Sequence, residues 1–349
     1  MKFEKRFKNI PESIWLKINK IDEVKTKWVY EEKLSPQFLG RLKKSVLVTS
    51  TGASTRIEGA KLSDEDIEKM IRGISIQKFF NRDKQEAKGY FELLENVFNS
   101  YEDIQFNENT IKHFHKELLK YTEKDKNHRG DYKKQENKVY MVNNEGDSIG
   151  VLFDTTSAYL TPKEMQELVD YTKKAFNDNE RHPLLIIANF IVEFLNIHPF
   201  VDGNGRVSRV LTNFLLLKKG YLYMPYVSHE KLIEDNKPEY YIALRKSQKT
   251  FNKGKDDIIP WLDFFINIVL EQSVRAISLL SEENIEKILS NKQLVFWNYL
   301  NSVKEASPKE ISEMTNIARP TINQIANKLL KLKKIEKIGM GRSIRYRII

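Results

Sequence analysis

The chain has 349 residues, of which 40% are hydrophobic and 30% charged, and it has no cysteine. This composition indicates a folded globular protein and excludes disulfide and thiolate chemistry. The net charge is +10. From Ser281 onward the chain has 13 Lys and Arg but 7 Asp and Glu, so +6 of the net charge lies in the last fifth of the chain.

The N-terminus has no apolar segment typical of a secretory signal. The longest apolar run, Leu184 to Ile197, contains Asn189 and Glu193 and is shorter than the ~20 residues of a membrane span. These features predict a cytoplasmic protein with no membrane segment.

Residues 1–100 have helical patterns. A short helix over "ASTRIEG" is expected to stop at Gly59, and Ser63 is expected to cap the helix "LSDEDIEKMI". Helical periodicity continues to about residue 122. Two β-prone segments, Val139–Val142 and Val151–Phe153, flank the turn-rich "NNEGDSIG", which predicts a β-hairpin with a connection longer than two residues.

Helices resume at "TPKEMQELVDYTKKAF", and the apolar segment "PLLIIANFIVEFLNI" predicts a helix in the middle of a bundle. Further helices are expected at "RVSRVLTNFLLLKKG", "KPEYYIALRKSQKTF" and "IIPWLDFFINIVLEQSVRAISLL". The C-terminal segment predicts three short helices and a strand pair around Gly339 and Gly341. This order is typical of a winged helix, whose recognition-type helix would place Arg319, Thr321, Asn323 and Gln324 against DNA, although many winged helices bind protein instead.

The stretch "HPFVDGNGRVSR", His198 to Arg209, joins two of the predicted core helices. Its glycines allow successive backbone N–H groups to point at one anion, and the next helix adds its positive dipole end. Two arginines three residues apart can bind phosphate oxygens, and one carboxylate beside a polyphosphate suits Mg²⁺. A histidine adds a general base. The spacing excludes a Walker A loop.

This stretch resembles the signature of the Fic family, HPFx[DE]GN[GK]RxxR, at every specified position. The resemblance implies a mainly α fold, a Fic-type helical bundle with a β-hairpin flap, with a winged-helix domain added here. It assigns residues 1–100 to an N-terminal helical region, 105–275 to the catalytic domain and 285–349 to the winged helix.

The resemblance also implies transfer of AMP from ATP to a Ser, Thr or Tyr hydroxyl of a protein, with release of diphosphate. In that reaction His198 deprotonates the hydroxyl and Asp202 binds Mg²⁺. Gly203, Asn204, Gly205 and Arg206 hold the α- and β-phosphates, and Arg209 contacts the γ-phosphate. The hairpin strand from Lys138 to Val142 would bind the target segment as an added strand.

A second segment, Ser54 to Gly59, is similar to the family's inhibitory motif [ST]xxxE[GN]. The resemblance implies an inhibitory helix near 45–59, in which Glu58 pairs with Arg209 and takes it away from the γ-phosphate. The sequence leaves open whether this pair forms within one chain or across a homodimer. Tyr240 and Tyr241 lie where the family commonly has a tyrosine pair beside the adenine, although ordinary core packing is nearly as good an interpretation.

Alternative functions remain at this point. The chain could be a nucleotide-sensing transcriptional regulator that binds DNA through residues 285–349, or a hydrolase that removes AMP from a modified protein with Glu58 orienting water. The protein target, the nucleotide base and the oligomeric state are not determined by the sequence.

Overall fold

A computed structural model describes residues 3–30, 36–72, 82–142, 148–251, 256–332, 334–339 and 341–348. The chain divides into two compact units, residues 1–277 and 278–349. The first unit contains both the predicted N-terminal helical region and the helices of the predicted catalytic domain. The division falls between the predicted boundaries at 275 and 285.

The described residues are mainly α-helical. The helices are α1 (Glu12–Tyr30), α2 (Pro36–Ile57), α3 (Asp64–Ile71), α4 (Arg82–Ser100), α5 (Glu108–Leu118), α6 (Thr161–Asp178), α7 (Pro183–Ile197), α8 (Asn204–Lys218), α9 (His229–Asp235), α10 (Lys237–Gln248), α11 (Ile259–Ile288), α12 (Asn291–Val303), α13 (Pro308–Thr315) and α14 (Arg319–Lys331). The strands are β1 (Lys138–Val142), β2 (Ser148–Asp154), β3 (Glu305–Ala306), β4 (Ile335–Ile338) and β5 (Arg345–Ile348). None of the described helices has the length and apolar character that crossing a membrane requires.

Helix α7 is the central helix of the first unit. Every residue from Leu184 to Ile197 is buried, and the helix packs against α6 and α8. Its buried polar residues are paired, because Arg6 contacts Glu193 at 2.7 Å and Asn189 at 3.2 Å. Pairing of this kind offsets the cost of removing a charge from water. The core helix therefore fixes the start of the loop that follows it.

Helix α2 is longer than the predicted inhibitory helix near 45–59, since it begins at Pro36 and is continuous to Ile57. The Thr- and Ser-rich middle of the segment has modest helix propensity, which led to the shorter prediction. Tertiary packing against α4 and α9 overrides that propensity. Gly59, with φ +101°, ends the segment as predicted, and Ser63 caps α3 through a capping box.

Strands β1 and β2 form the predicted hairpin. They pair antiparallel, with Lys138 opposite Asp154, and residues 143–147 between them lie outside the described residues. The register shifts between Val139 and Tyr140 and again between Met141 and Val142. Each shift is an irregularity that bends the ribbon locally. We call this β1–β2 hairpin the flap.

The second unit has its own hydrophobic core. Its three helices α12, α13 and α14 pack around a three-stranded antiparallel sheet in the order β3-β5-β4. The buried side chains of this core include Phe296, Trp297, Leu300, Ile311, Ile322, Ile325, Leu329, Ile335 and Tyr346. Strands β4 and β5 pair on either side of the predicted Gly339–Gly341 turn. This order of elements is the one predicted for residues 285–349.

Candidate active site

His198 ends helix α7 in a left-handed backbone conformation, with φ 52° and ψ 62°. A residue with a side chain adopts this conformation at some energetic cost, so the surrounding contacts have to maintain it. Burial and, next, the nearby charge of Lys133 together lower the pKa of His198 to about 4, against the opposing effect of a hydrogen bond with the Leu195 backbone. The imidazole is therefore neutral at pH 7 and able to accept a proton.

Asn204 holds the loop between α7 and α8 in shape. Its Oδ1 accepts a hydrogen bond from the Phe200 N–H at 2.9 Å, and its Nδ2 donates to the Phe200 carbonyl at 2.8 Å. Gly203, with φ 79°, provides the turn into the helix. Because the Asn204 amide is used in this way, the group that Asn204 offers to an anion is its backbone N–H.

The N-terminus of α8 presents the predicted phosphate-binding glycines to the end of α2. A Cβ built on Gly205 would lie 2.3 Å from Oε1 of Glu58 and 3.3 Å from Nη1 of Arg209. Only glycine fits there without displacing the Glu58 carboxylate. A carboxylate at a helix N-terminus occupies the position at which a phosphate would be stabilised. Glu58 therefore lies at the predicted phosphate site.

Arg209 is buried and contacts the predicted inhibitory segment through three hydrogen bonds. Its Nε donates to the Ser54 hydroxyl at 2.8 Å, and its Nη2 donates to the Ser54 carbonyl at 2.9 Å and to Glu58 Oε1 at 2.7 Å. Burial raises the pKa of Glu58, but the charges of Arg209 and Arg206 outweigh it and lower that pKa overall. The pair is therefore ionised at neutral pH, and it forms within one chain.

Asp202 lies beside a small network of charges. Its Oδ1 accepts hydrogen bonds from the Gly203 N–H at 2.6 Å and from Arg206 at 3.2 Å, and its Oδ2 pairs with Arg82. Arg206 also pairs with Glu86. Burial opposes ionisation of Asp202, but Arg206, the Gly203 N–H and Arg82 together lower its pKa. Within the described residues, no three His, Asp or Glu side chains form a cluster able to hold a metal without other ligands.

The two tyrosines differ in their surroundings. Tyr240 is 3% exposed, and its ring packs 5.9 Å from that of Trp261. With Arg209, these rings line a cavity of about 10 Å³, which is about the space of one water and excludes a purine. Tyr241 is 37% exposed, and its hydroxyl lies 3.4 Å from the Ile57 carbonyl at the end of α2. Of the two, Tyr241 has the surface that a nucleotide base could reach.

His115, on α5, also contacts the loop. Its ring stacks on Phe200 at 3.8 Å, its Nδ1 accepts from the Gly130 N–H, and its Nε2 lies 3.1 Å from the Asp202 carbonyl. Because Nδ1 is an acceptor, Nε2 is the donor. Burial lowers the pKa of His115 to about 4, which favours this neutral form. A histidine two residues from another on one helix gave no signal of a long-range contact.

Residues 105–216 match the Fic/DOC family. A Fido domain-containing protein of Dictyostelium discoideum is 32% identical over 102 residues, which are 28% of this chain and 67% of that protein. The chain therefore belongs to the Fic family.

Two other relatives are named adenylyltransferases. A protein adenylyltransferase Fic of Drosophila mojavensis is 41% identical over 86 residues, which are 25% of this chain and only 15% of the fly protein. A probable protein adenylyltransferase of Aquifex aeolicus is 24% identical over 320 residues, 88% of this chain and 87% of the relative.

The fold has a close counterpart among solved structures. The crystal structure of a Fic family protein from Desulfovibrio desulfuricans G20 aligns with a TM-score of 0.63 at 23% identity, covering 98% of this chain and 97% of that one. This similarity shows the fold, which is the predicted Fic-type helical fold.

Proposed function

We propose that this Fic protein is a protein adenylyltransferase that inhibits itself through Glu58. The observation that carries the proposal is the loop from His198 to Arg209, which places a neutral imidazole, a glycine-rich helix N-terminus and two arginines within one short segment. The names of the fly and Aquifex relatives support a transferase activity.

The reaction transfers AMP from ATP to a hydroxyl side chain of a protein. The hydroxyl oxygen attacks the α-phosphorus and loses its proton to the His198 imidazole. The bond between the α-phosphorus and the oxygen that bridges it to the β-phosphorus breaks, and diphosphate leaves. Most of the rate enhancement in such a transfer comes from positioning and from neutralising the phosphate charge.

The phosphates bind at the N-terminus of α8. The backbone N–H groups of Gly203, Asn204 and Gly205 face the α- and β-phosphates, and Arg206 exchanges its carboxylate partners for phosphate oxygens. The γ-phosphate contacts Arg209 once Glu58 has left it. Of these donors, the backbone N–H groups of Asn204 and Gly205 are held by the helix itself, so they need no rearrangement as charge develops.

Asp202 fits a magnesium ion that ATP itself helps to hold. One carboxylate beside a phosphate site is the donor set that Mg²⁺ takes when phosphate oxygens and waters complete its octahedron. Asp202 faces the phosphate cradle, and its side chain is 38% exposed. When bound, the ion would neutralise phosphate charge, and Arg82 would have to release Oδ2 of Asp202.

Glu58 inhibits the enzyme because its carboxylate occupies the phosphate position against Gly205 and pairs with Arg209. ATP and the ionised carboxylate repel each other at this site. ATP then binds only with its γ-phosphate away from Arg209, which misplaces the α-phosphate relative to His198. The edge of strand β1, Lys138–Val142, takes up the target segment as an added strand.

The test is label transfer from [α-³²P]ATP with Mg²⁺, to the protein itself and to lysate proteins. Glu58→Gly is expected to raise labelling, and Glu58→Gly with His198→Ala to abolish it. Glu65→Gly is the control, because its side chain is 74% exposed on α3. If Glu58→Gly labels nothing, the transferase proposal is wrong. If Glu58→Gly labels a target and the unchanged protein releases AMP from it with water, Glu58 serves the hydrolytic removal of AMP.

DNA binding by the second unit is a second candidate function. Between Met314 and Ile335 the chain carries five basic residues and no acidic one. Helix α14, the second helix of a helix–turn–helix pair, exposes Arg319, Asn323, Gln324 and Lys331. A basic helix with exposed amide side chains fits a major groove. The transferase and DNA-binding proposals are compatible with each other.

A further inference from the structure

Lys133 hydrogen-bonds to one backbone carbonyl before His198 and to one after it. Its backbone N–H donates to the Pro199 carbonyl at 2.9 Å, and its Nζ donates to the Ile197 carbonyl at 3.1 Å. The Ile197 carbonyl belongs to the peptide unit directly before His198, whose backbone is left-handed, and the Pro199 carbonyl belongs to the second peptide unit after it. A residue in that conformation needs such external contacts to keep its side chain aimed in one direction.

The same ammonium group also contacts the base of the flap. Nζ donates to Oδ1 of Asn137 at 2.7 Å and to Oγ1 of Thr155 at 2.8 Å. Asn137 directly precedes β1 and Thr155 directly follows β2. The residues at both ends of the hairpin therefore accept hydrogen bonds from the same atom, Nζ of Lys133. Asn137 additionally donates to the Phe200 carbonyl at 3.0 Å. The flap and the His198 loop are therefore joined through the buried Lys133 and through the Asn137 side chain.

The three acceptors around Nζ match the three hydrogens of a lysine ammonium group. Lys133 is 3% exposed, and its Nζ has three hydrogens for the three oxygens of Asn137, Thr155 and Ile197. Arginine has a planar fork that cannot match three acceptors around one atom. Burial lowers the pKa of Lys133 to about 8, as expected for a cation removed from water.

We propose that Lys133 is a positioning residue for the transfer reaction: it fixes the backbone of the general base His198 and couples that base to the flap that holds the target segment. The inference rests on the proposed transferase function for its kinetic part only. Lys133 does not reach the phosphate cradle in these contacts, so its loss should affect the chemical step and leave nucleotide binding unchanged.

The kinetic test uses Lys133→Met in the Glu58→Gly background, with Lys134→Met as the matched control, because Lys134 is the next residue and its side chain is 83% exposed. Single-turnover self-labelling from [α-³²P]ATP should fall about tenfold or more in Lys133→Met, while the Kd for ATP changes by less than about twofold. Lys134→Met should change neither. Unchanged labelling in Lys133→Met, or a parallel loss of ATP affinity, would overturn the proposal.

Amide hydrogen exchange tests the coupling without any activity. In Lys133→Met, exchange should rise together in the flap strands (138–142 and 148–154) and in the loop 197–203, and it should not rise in α14. Exchange that rises throughout the chain, or in only one of the two segments, contradicts the coupling. If Lys133→Met does not fold, Thr155→Val removes one Nζ acceptor together with the hydrogen bonds from Thr155 Oγ1 to Asn137, and it should give the same pattern with smaller amplitude. Failure of Glu58→Gly to label anything would instead reject the transferase function.

Discussion

Arg56 and Glu234 form a bidentate ion pair between helices α2 and α9. Nε of Arg56 donates to Oε1 of Glu234 at 2.5 Å, and Nη2 donates to Oε2 at 3.1 Å. Nη1 of Arg56 also binds Asp64 and the Leu62 carbonyl, both at 2.9 Å. Arg56 is two residues from Glu58, so these contacts fix the end of α2 that directly precedes Glu58.

Arg56→Gln should therefore weaken self-inhibition while leaving Glu58 in place. A partly buried bidentate pair is worth about 1 kcal/mol, which corresponds to roughly a fivefold rise in self-labelling from [α-³²P]ATP. The rise should be smaller than that of Glu58→Gly. Arg72→Gln is the control, since its ion pair with Glu68 is exposed on α3. Labelling of Arg56→Gln at the level of the unchanged protein would show that α2 is held by other contacts.

Asn204→Ala should destabilise the protein and abolish transfer. The substitution leaves the buried Phe200 N–H without its Asn204 acceptor, which costs about 1–3 kcal/mol of unfolding free energy. Urea denaturation measures this cost. Asn213→Ala is the control for the loop. It also removes a buried side-chain donor, but from a position further along α8 and outside the loop. Asn204→Asp keeps an acceptor for the Phe200 N–H but places a carboxylate oxygen against the buried Phe200 carbonyl, so it should not recover the stability. If Asn204→Ala is as stable as the unchanged protein, the amide does not hold the loop.

The sequence predicted the local parts of this site better than its long-range parts. The stretch from His198 to Arg209 is contiguous, so its chemistry could be interpreted residue by residue. The Glu58–Arg209 contact spans 151 positions and was predicted only through the family resemblance. His115, Lys133 and the Arg56–Glu234 pair were missed, because each depends on helices that meet only after folding.

The fold was predictable to a similar extent. The central apolar helix and the hairpin follow from strong hydrophobic patterns, and both are confirmed by the structure. The predicted length of α2 was wrong. Its Ser, Thr and Gly residues give a weak local signal, and the helix is stabilised by its packing against α4 and α9.

The stability contributed by Glu58 should depend on pH. Its pKa in the folded protein is lowered from the ordinary value of 4.5, so the ionised form stabilises the fold. This contribution is complete above pH 4.5 and is lost as the pH falls through the lowered folded-state pKa. Glu58→Gln should therefore lower the free energy of unfolding by about 1 kcal/mol at pH 7 and by less near pH 3. Chemical denaturation at both values measures this difference. A constant difference would show that Glu58 is not paired with a charge.

Transfer by Glu58→Gly should persist in mildly acidic solution. The pKa of His198 is lowered to about 4, by burial first and by Lys133 next, whereas Glu58 and Asp202 oppose the shift. Removing Glu58 removes one opposing charge, so the imidazole stays neutral at pH 5.5, where an ordinary histidine is mostly protonated. Histidine NMR of the nucleotide-free protein, assigned with His198→Ala, reports the pKa directly. A titration midpoint near 6.5 would contradict the buried environment.

DNA binding, if present, should depend on α14 and not on the arginines of β5. Arg345 and Arg347 are tied to Glu305, and Arg345 also to Glu310, so their charges are largely satisfied within the unit. Arg319 and Lys331 are exposed on α14. Fluorescence anisotropy with duplex fragments of the protein's own promoter should show weaker binding for Arg319→Ala with Lys331→Ala. The slope of the logarithm of the binding constant against the logarithm of the salt concentration should become less steep by the amount expected for about two phosphate contacts.

Arg347→Ala is the matched control in that experiment, because it removes the same kind of charge from the same unit without touching α14. It should bind promoter fragments nearly as well as the unchanged protein. Equal losses in both variants would indicate general attraction between a basic unit and DNA. Absence of any binding at low salt would reject the DNA proposal while leaving the transferase proposal intact, since the two depend on different units of the chain.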